Sequence, residues 1–212
     1  MRGNRNDNNI GGGWETAPRN LGANALNESE RNNWLEGLPQ FDADNELITF
    51  AIMAAFTKPA TWLDIGCGTG AVVNTARLNG IDAFGVDQIQ DDAEYFKHSD
   101  LTQPLDLGRQ FDVVTCIEMV EHLMPEYEGV ICDTLARHVK PQCILILTSA
   151  QKGQDGYNHF NCQPKKYWKD RLESRGMLLN VAYTERLATM FFHTHSTLNH
   201  LSKNVQVFNQ HE

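Results

Sequence analysis

A short glycine-rich turn separates an apolar segment from a helical segment in the first half of the chain. Residues 61–65 are Thr-Trp-Leu-Asp-Ile, residues 66–70 are Gly-Cys-Gly-Thr-Gly, and an amphipathic stretch follows from Ala71. Because glycine adopts left-handed backbone angles without steric cost, this spacing predicts a tight strand-to-helix turn. The free N–H groups of a helix N-terminus point into such a turn, so the pattern predicts a site for a nucleotide-like ligand.

Strand and helix signals alternate along the rest of the chain, after a first helix predicted over 44–57. The predicted strands cover 61–65, 81–86, 93–97, 111–117, 143–148, 178–183 and 204–208. A helix is predicted from Glu118 to Val139, with a stop at Pro141. Apolar strands that alternate with helices are typical of a parallel sheet covered on both faces. The sequence therefore predicts a three-layer α/β/α sandwich around a mostly parallel, seven-stranded, Rossmann-like sheet.

Length and composition favour one globular domain. Residues 1–20 are rich in Asn, Arg and Gly and are predicted to form a disordered tail, which leaves 21–212 as the single domain. The longest apolar run, 47–56, is shorter than the roughly 20 residues that cross a bilayer, so no membrane insertion is expected. Five scattered cysteines without a CxxC pair favour a reducing, cytoplasmic setting. Nothing in the pattern specifies an oligomeric state.

Three aspartates stand where the predicted strands end. Asp64 lies inside the first strand, Asp87 ends the second, and Asp100 follows the third. Ligands of open α/β sheets bind at the carboxyl ends of the strands, where Asp87 can accept hydrogen bonds from ribose hydroxyls and Asp100 from an adenine amino group. The glycines also satisfy the loose dinucleotide fingerprint, so an NAD-dependent oxidoreductase stays an alternative at this point.

With these acids in place, the chain resembles the class I, Rossmann-like, S-adenosylmethionine (AdoMet)-dependent methyltransferases over residues 45–210. Their glycine-rich loop matches 64–70 and their fourth-strand motif matches 111–118. The resemblance implies AdoMet as cofactor and an antiparallel last strand, a role that 204–208 can fill. The cofactor contacts that it implies come from Asp64, Gly66, Cys67, Gly68, Gly70, Asp87, Gln88, Asp100, Leu101, Cys116 and Glu118. A non-catalytic AdoMet-binding module shares the same motifs.

The segment Glu118-Met119-Val120-Glu121-His122 follows the fourth strand. It resembles the ExxEH segment of the ubiquinone-biosynthesis O-methyltransferases and of the metal-binding small-RNA 2′-O-methyltransferases. In one hypothesis, His122 or His159 is the catalytic base that takes a proton from an attacking hydroxyl. In another, Glu118, Glu121, His122 and His159 bind Mg²⁺. In the third, the acids cap a helix and His122 makes a structural hydrogen bond.

The loop 153–163 lies where acceptor substrates bind in this fold. Tyr157, His159 and Asn161 are predicted to face the acceptor, and a similar Tyr-x-His-x-Asn loop occurs in methyltransferase-like proteins of phages, which implies action in a host cytoplasm. The net charge of −9 argues against a broad nucleic-acid-binding face. The sequence therefore predicts an O-methyltransferase with a small-molecule acceptor, while a nucleic acid acceptor, served by a metal-assisted RNA 2′-O-methyltransferase, stays open.

Overall fold

The computed structural model describes residues 28–37, 41–154, 156 and 158–210. The predicted tail, 1–20, and the acceptor-binding candidate Tyr157 lie outside these described residues. The seven α-helices of the described part are α1 (Glu28–Gly37), α2 (Asp42–Ala55), α3 (Ala71–Leu78), α4 (Glu128–Arg137), α5 (Lys165–Glu173), α6 (Val181–Thr194) and α7 (Asn199–Asn204). Its strands are β1 (Thr61–Ile65), β2 (Asp82–Asp87), β3 (Phe96–His98), β4 (Phe111–Ile117), β5 (Val139–Thr148), β6 (Met177–Leu179) and β7 (Gln206–Gln210).

The seven strands form one sheet in the order β3-β2-β1-β4-β5-β7-β6. The first five strands pair in parallel, and β7 runs antiparallel to both β5 and β6. The Rossmann-like fold with an antiparallel last strand is therefore confirmed. The strand order reverses between β1 and β4, and this switch point is where ligands of open α/β sheets bind.

Two hydrophobic cores cover the two faces of the sheet. On one face, α2, α3, α6 and α7 pack against strand residues such as Trp62 and Ile146. On the other, α4 and α5 pack against strand residues such as Leu63 and Leu145. Because neighbouring residues of a strand point to opposite faces, each apolar strand supplies both cores. This burial on both sides holds the strand ends of the site in fixed positions.

The segment between β4 and β5 differs from the predicted helix over 118–139. Glu118 has a left-handed φ of 46°, and two 3₁₀ turns, Val120–His122 and Pro125–Tyr127, precede α4. Glu118, Glu121 and His122 therefore do not lie on one continuous α-helix, and the predicted helix was wrong over residues 118–127. Pro125 lacks the backbone N–H that a continuous α-helix would require at this point.

Several strand boundaries also differ from the prediction. The strand β5 begins at Val139 and includes Pro141, the predicted stop, because Val139 pairs with Phe111 before an irregularity shifts the register. The strand β6 ends at Leu179, since the Asn180 side chain accepts a hydrogen bond from the backbone N–H of Tyr183 and begins α6. No helix of the described residues is both long and apolar enough to cross a membrane.

Candidate active site

The glycine-rich turn connects the end of β1 to the start of α3. Gly66, Gly68 and Gly70 all have positive φ angles, of 78°, 54° and 85°. The N–H groups of Gly66 and Cys67 donate to the carbonyl of Val86 at 2.8 and 3.2 Å, which fixes the turn against β2. A side chain at position 66 would meet Met119, and one at 70 would meet Phe96. Positions 66 and 70 are therefore restricted to glycine by backbone angle and by space.

Two enclosed carboxylates lie beside this turn. Asp64 is 3% exposed and its Oδ1 accepts a hydrogen bond from the Thr115 hydroxyl at 2.6 Å. Burial raises the pKa of Asp64 to about 7, although the Thr115 bond lowers it and the Asp87 charge adds to the rise. Oδ2 of Asp87 accepts from the Gly68 N–H at 2.9 Å. Enclosure also raises the pKa of Asp87, against the opposite effect of backbone N–H donors.

The other predicted cofactor residues lie around these two acids. Cys67 and Cys116 are 4% and 0% exposed, and burial raises the pKa of both thiols. Leu101 is 6% exposed, and Oδ1 of Asp100 accepts hydrogen bonds from the backbone and hydroxyl of Thr102. Gln88 directly follows β2. The structure therefore distributes the candidates over the ends of β1, β2 and β4 and the turn after β3.

A pair of glutamates follows β4. Glu121 is fully buried, and its Oε1 accepts from the backbone N–H of Ala150 at 3.1 Å. Its Oε2 is buried without a hydrogen-bond donor among the described residues. Burial, together with the neighbouring Glu118 carboxylate, raises the pKa of Glu121. A carboxylate in this environment attracts a proton or a cation.

His122 and His159 meet next to this buried carboxylate. Their ring centroids are 4.9 Å apart with the rings edge to face. Nδ1 of His122 lies 3.1 Å from the carbonyl of Asn158, and Nδ1 of His159 lies 3.0 Å from the carbonyl of Gln154. Because a carbonyl only accepts, each Nδ1 carries the proton, and Nε2 is the nitrogen that can take a proton or bind a metal.

Glu121 completes a three-residue cluster with these histidines. One ring nitrogen of His122, one of His159 and a carboxylate oxygen of Glu121 lie within 4.8 Å of one another. Glu118, the fourth predicted metal ligand, does not belong to this group. The cluster depends on the loop after β5, since the N–H groups of Phe160 and Asn161 both donate to the Glu121 carbonyl, at 2.8 and 2.9 Å.

The acceptor loop brings further polar groups to the cluster. Asn161 is 1% exposed, its Oδ1 accepts from Gln163, and its Nδ2 has no partner among the described residues. The His159 ring lies on Gly156, where an added Cβ would come 2.4 Å from two ring atoms. Because Gly156 has no side chain, the His159 imidazole can occupy this space.

Three residues that support the candidate site were not predicted from the sequence. Thr115 bonds Asp64, the Thr148 hydroxyl accepts from the Glu118 N–H at 2.9 Å, and Asn204 bonds the Glu118 carboxylate. The two threonines could have been identified from the sequence, because each is a hydroxyl inside an otherwise apolar strand. Asn204 could not, since 86 residues separate it from Glu118.

Comparison with known proteins decides between the ligand classes that the glycine turn admits. The family model described as "Methyltransferase domain" matches residues 42–207, most of the chain. The chain belongs to this family. The predicted class I AdoMet-dependent methyltransferase is thus confirmed at the level of family and fold, in preference to the NAD-dependent oxidoreductase.

Curated relatives cover part of this methyltransferase domain. The ubiquinone biosynthesis O-methyltransferase of Rickettsia conorii is 25% identical over 107 residues, which cover 45% of this chain and 36% of the relative. The enzyme of the same description from Rickettsia bellii is also 25% identical, over 109 residues, covering 45% of this chain and 44% of the relative. The matched regions thus span less than half of either relative.

Solved structures share the fold over nearly the whole chain. A TehB-like SAM-dependent methyltransferase from Corynebacterium glutamicum matches with a TM-score of 0.63 and 16% identity, covering 87% of this chain and all of that one. A sugar N-methyltransferase from Streptoalloteichus matches with a TM-score of 0.64 and 16% identity, covering 95% of this chain and all of that one. These similarities show that the fold occurs in methyltransferases.

Proposed function

We propose that this chain transfers the methyl group of AdoMet to a hydroxyl group of a small molecule. The observation that carries the proposal is the His122–His159 pair, which stands next to the strand ends that hold the cofactor candidates. The names of the Rickettsia relatives support an oxygen acceptor. The net charge of −9 supports a small molecule over a nucleic acid, whose phosphates bind clustered Lys and Arg.

The charges at the glycine turn suit AdoMet. Neither Asp64 nor Asp87 forms an ion pair with a Lys or Arg of the described residues, although both are enclosed. A ligand with an ammonium and a sulfonium group supplies the missing positive charge. We assign the amino-acid end to Asp64 and the glycine turn, the ribose to Asp87, and the adenine to Asp100 and Leu101.

The chemistry needs one proton transfer, from the acceptor hydroxyl to the protein. AdoMet supplies a methyl group that its sulfonium already activates, so no covalent enzyme intermediate is needed. We assign His159 as the base, because it lies on the acceptor loop and its Nδ1–H is held by the Gln154 carbonyl. His122 packs edge to face against this ring and keeps it in place. Alignment of the acceptor hydroxyl with the methyl group supplies most of the remaining rate.

A labelled-methyl assay tests the proposal. The protein is incubated with AdoMet carrying a labelled methyl group and with a panel of phenols, catechols and sugars, and product and S-adenosylhomocysteine are quantified. We expect transfer to at least one hydroxyl acceptor, and a loss of about 100-fold in His159→Ala, as for removal of a general base. Equal rates in wild type and His159→Ala would contradict the assignment of the base.

A second candidate is metal-assisted methyl transfer, favoured by the convergence of Glu121, His122 and His159 within 4.8 Å. Metal-binding histidines usually donate their other N–H to a carbonyl, as both of these do. Two imidazoles and one carboxylate suit a divalent transition metal better than Mg²⁺. In this candidate the ion would orient the acceptor hydroxyl and lower its pKa.

Metal titration separates the two candidates. Calorimetry with Zn²⁺, Mn²⁺ and Mg²⁺ is compared between the wild type and Glu121→Gln, in parallel with methyl transfer in the presence of a chelator. Binding that Glu121→Gln abolishes, together with activity lost in chelator, would support the metal. Full activity in chelator would contradict it and leave His159 as the base.

A further inference from the structure

Asn204 is a buried residue at the end of α7, and both the NH₂ group and the carbonyl oxygen of its side chain form hydrogen bonds. It is 1% exposed. Its Nδ2 lies 3.2 and 3.4 Å from the two carboxylate oxygens of Glu118, and its Oδ1 accepts from Nε2 of Gln151 at 3.2 Å. The donor from Gln151 fixes which end of the amide faces Glu118, because only the NH₂ end can donate to a carboxylate.

These bonds connect three segments that are far apart in the chain. Glu118 directly follows β4, Gln151 lies between β5 and the acceptor loop, and Asn204 ends α7 before β7. Gln151 also lies 3.4 Å from the carbonyl of Lys203, and the Lys165 ammonium donates to the same carbonyl at 3.1 Å. The end of α7 is thus bonded to the acceptor loop on one side and to the proposed cofactor residue Glu118 on the other.

Glu118 depends on such support. Its backbone has a left-handed φ of 46°, which is unfavourable for a residue with a Cβ. Its N–H is held by Thr148, and its carboxylate stands beside the buried carboxyl of Glu121. Burial and the Glu118 charge raise the pKa of Glu121, so Glu121 carries the proton of this pair and can donate it towards the Glu118 carboxylate. The Asn204 amide supplies a second donor, and without it the Glu118 carboxylate would lose one of the contacts that fix its direction.

We propose that Asn204 is a positioning residue of the methyl-transfer site, which acts by holding the Glu118 carboxylate towards the cofactor. The inference rests on the proposed function, in which Glu118 contacts AdoMet. Through Gln151, the same amide couples the position of Glu118 to the acceptor loop.

The test uses a pair of exchanges in the full chain. Asn204→Asp removes the donor and places a second carboxylate against Glu118, and we expect AdoMet affinity to fall by about tenfold, as for loss of a hydrogen bond to a charged group. The double variant Glu118→Gln/Asn204→Asp restores a hydrogen bond with its polarity reversed, and Gln151 can still donate to position 204. We expect this exchange to recover the melting temperature but not the AdoMet affinity, because the carboxylate has moved from position 118 to 204.

Calorimetric affinity and melting temperature together decide the outcome. Recovery of both in the double variant, or wild-type affinity in folded Asn204→Asp, would show a structural role and overturn the proposal. If Asn204→Asp does not fold, Gln151→Ala decides: an affinity about threefold weaker supports the proposal, and an unchanged one overturns it. Asn79→Asp, an exposed exchange at the end of α3, is the control for an added charge together with a lost amide donor, because Nδ2 of Asn79 also donates, to the carbonyl of Thr75 at 2.8 Å. Absence of AdoMet binding in the wild type would instead overturn the proposed function, and this inference with it.

Discussion

Backbone strain at single residues is concentrated near the candidate site. Among the described residues, the non-glycine residues with positive φ are Glu118, Gln142 and Asn158. Glu118 presents its carboxylate to Asn204, and the Asn158 carbonyl holds His122, whereas Gln142 lies in the irregular first half of β5. Such conformations cost about 1–3 kcal/mol each and persist where surrounding contacts enforce them. Two of the three therefore orient groups of the proposed site.

The space over Gly156 gives the first prediction. An alanine there would place its Cβ 2.4 Å from the His159 ring and displace the imidazole. We expect Gly156→Ala to lower methyl transfer by at least about tenfold, because small displacements of a reacting group are costly. AdoMet affinity, measured by calorimetry, should stay within about twofold of the wild type, since the contacts at the glycine turn are unchanged.

Gly129→Ala is the matched control for this exchange. Among the described residues, its added Cβ would meet an Arg175 atom at 3.9 Å, an ordinary contact, and no other within 4 Å. Gly129 lies in α4, away from the histidines. Wild-type rates in Gly156→Ala would mean that His159 is not positioned by this glycine.

The pKa of Asp64, raised to about 7, gives a prediction for stability. An acid whose folded-state pKa is raised holds its proton more tightly when folded, so folding loses free energy as the pH rises from about 4 to 7. Asp64→Asn removes this loss and can still accept from Thr115. Relative to the wild type, the variant should therefore gain about 2 kcal/mol of unfolding free energy between pH 5 and pH 8.

Chemical denaturation at the two pH values measures this gain, and AdoMet binding should be lost in the same variant. Asp82→Asn is the control, because Asp82 is an exposed acid at the start of β2, the end of that strand opposite Asp87. A gain that does not change with pH would show that Asp64 is ionised in the folded protein at pH 5 as it is at pH 8.

At the scale of helices and strands, the elements that were predicted correctly are those whose formation depends on local sequence pattern. The strands β1, β2 and β4 were found because each is an apolar run next to a glycine or aspartate signal. The segment after β4 was predicted wrongly, because its turns are set by the left-handed Glu118 and by bonds to the loop after β5. The spacing Glu118-x-x-Glu121-His122 indicated a site, yet the contact with His159 depends on the fold of a loop 37 residues later. Such long-range contacts leave no periodic signal.

The helix α1 gives a prediction at this scale. Arg31 donates from Nε and Nη2 to the carbonyl of Ile89 at 2.9 and 2.8 Å, and from Nη2 to Asp91 at 2.8 Å. These bonds attach α1 to the loop that follows Asp87. We expect Arg31→Ala to speed amide hydrogen exchange over 28–37, because local opening depends on such contacts.

The same variant should weaken AdoMet binding by about two- to fivefold, since a partly exposed ion pair contributes at most about 1 kcal/mol. Arg109→Ala is the control, because Arg109 pairs with Asp82 at the start of β2, away from Asp87. Faster amide hydrogen exchange over 28–37 in Arg31→Ala, together with unchanged AdoMet affinity, would show that α1 does not contribute to cofactor binding.

At the scale of the whole molecule, the strand order concentrates the site on one edge of the sheet. The order β3-β2-β1-β4-β5 brings the carboxyl ends of all five parallel strands to the same edge, with the switch between β1 and β4 at its centre. Asp64 and the glycine turn lie on one side of this switch, and Glu118 on the other. A ligand that spans the switch contacts both hydrophobic cores through their strands, so its binding should stabilise the entire domain.

Thermal unfolding tests this expectation. A ligand that binds only the folded state adds about 2.7 kcal/mol at 100 times its Kd. For a domain of this size, that free energy corresponds to a rise of about 5–10 °C in Tm. We expect AdoMet and S-adenosylhomocysteine to produce this rise, NADH at the same concentration to produce none, and Asp87→Ala to abolish the response because it removes the proposed ribose contact. A rise with NADH in place of AdoMet, or an undiminished AdoMet response in Asp87→Ala, would contradict the cofactor site assigned to the ends of β1 and β2.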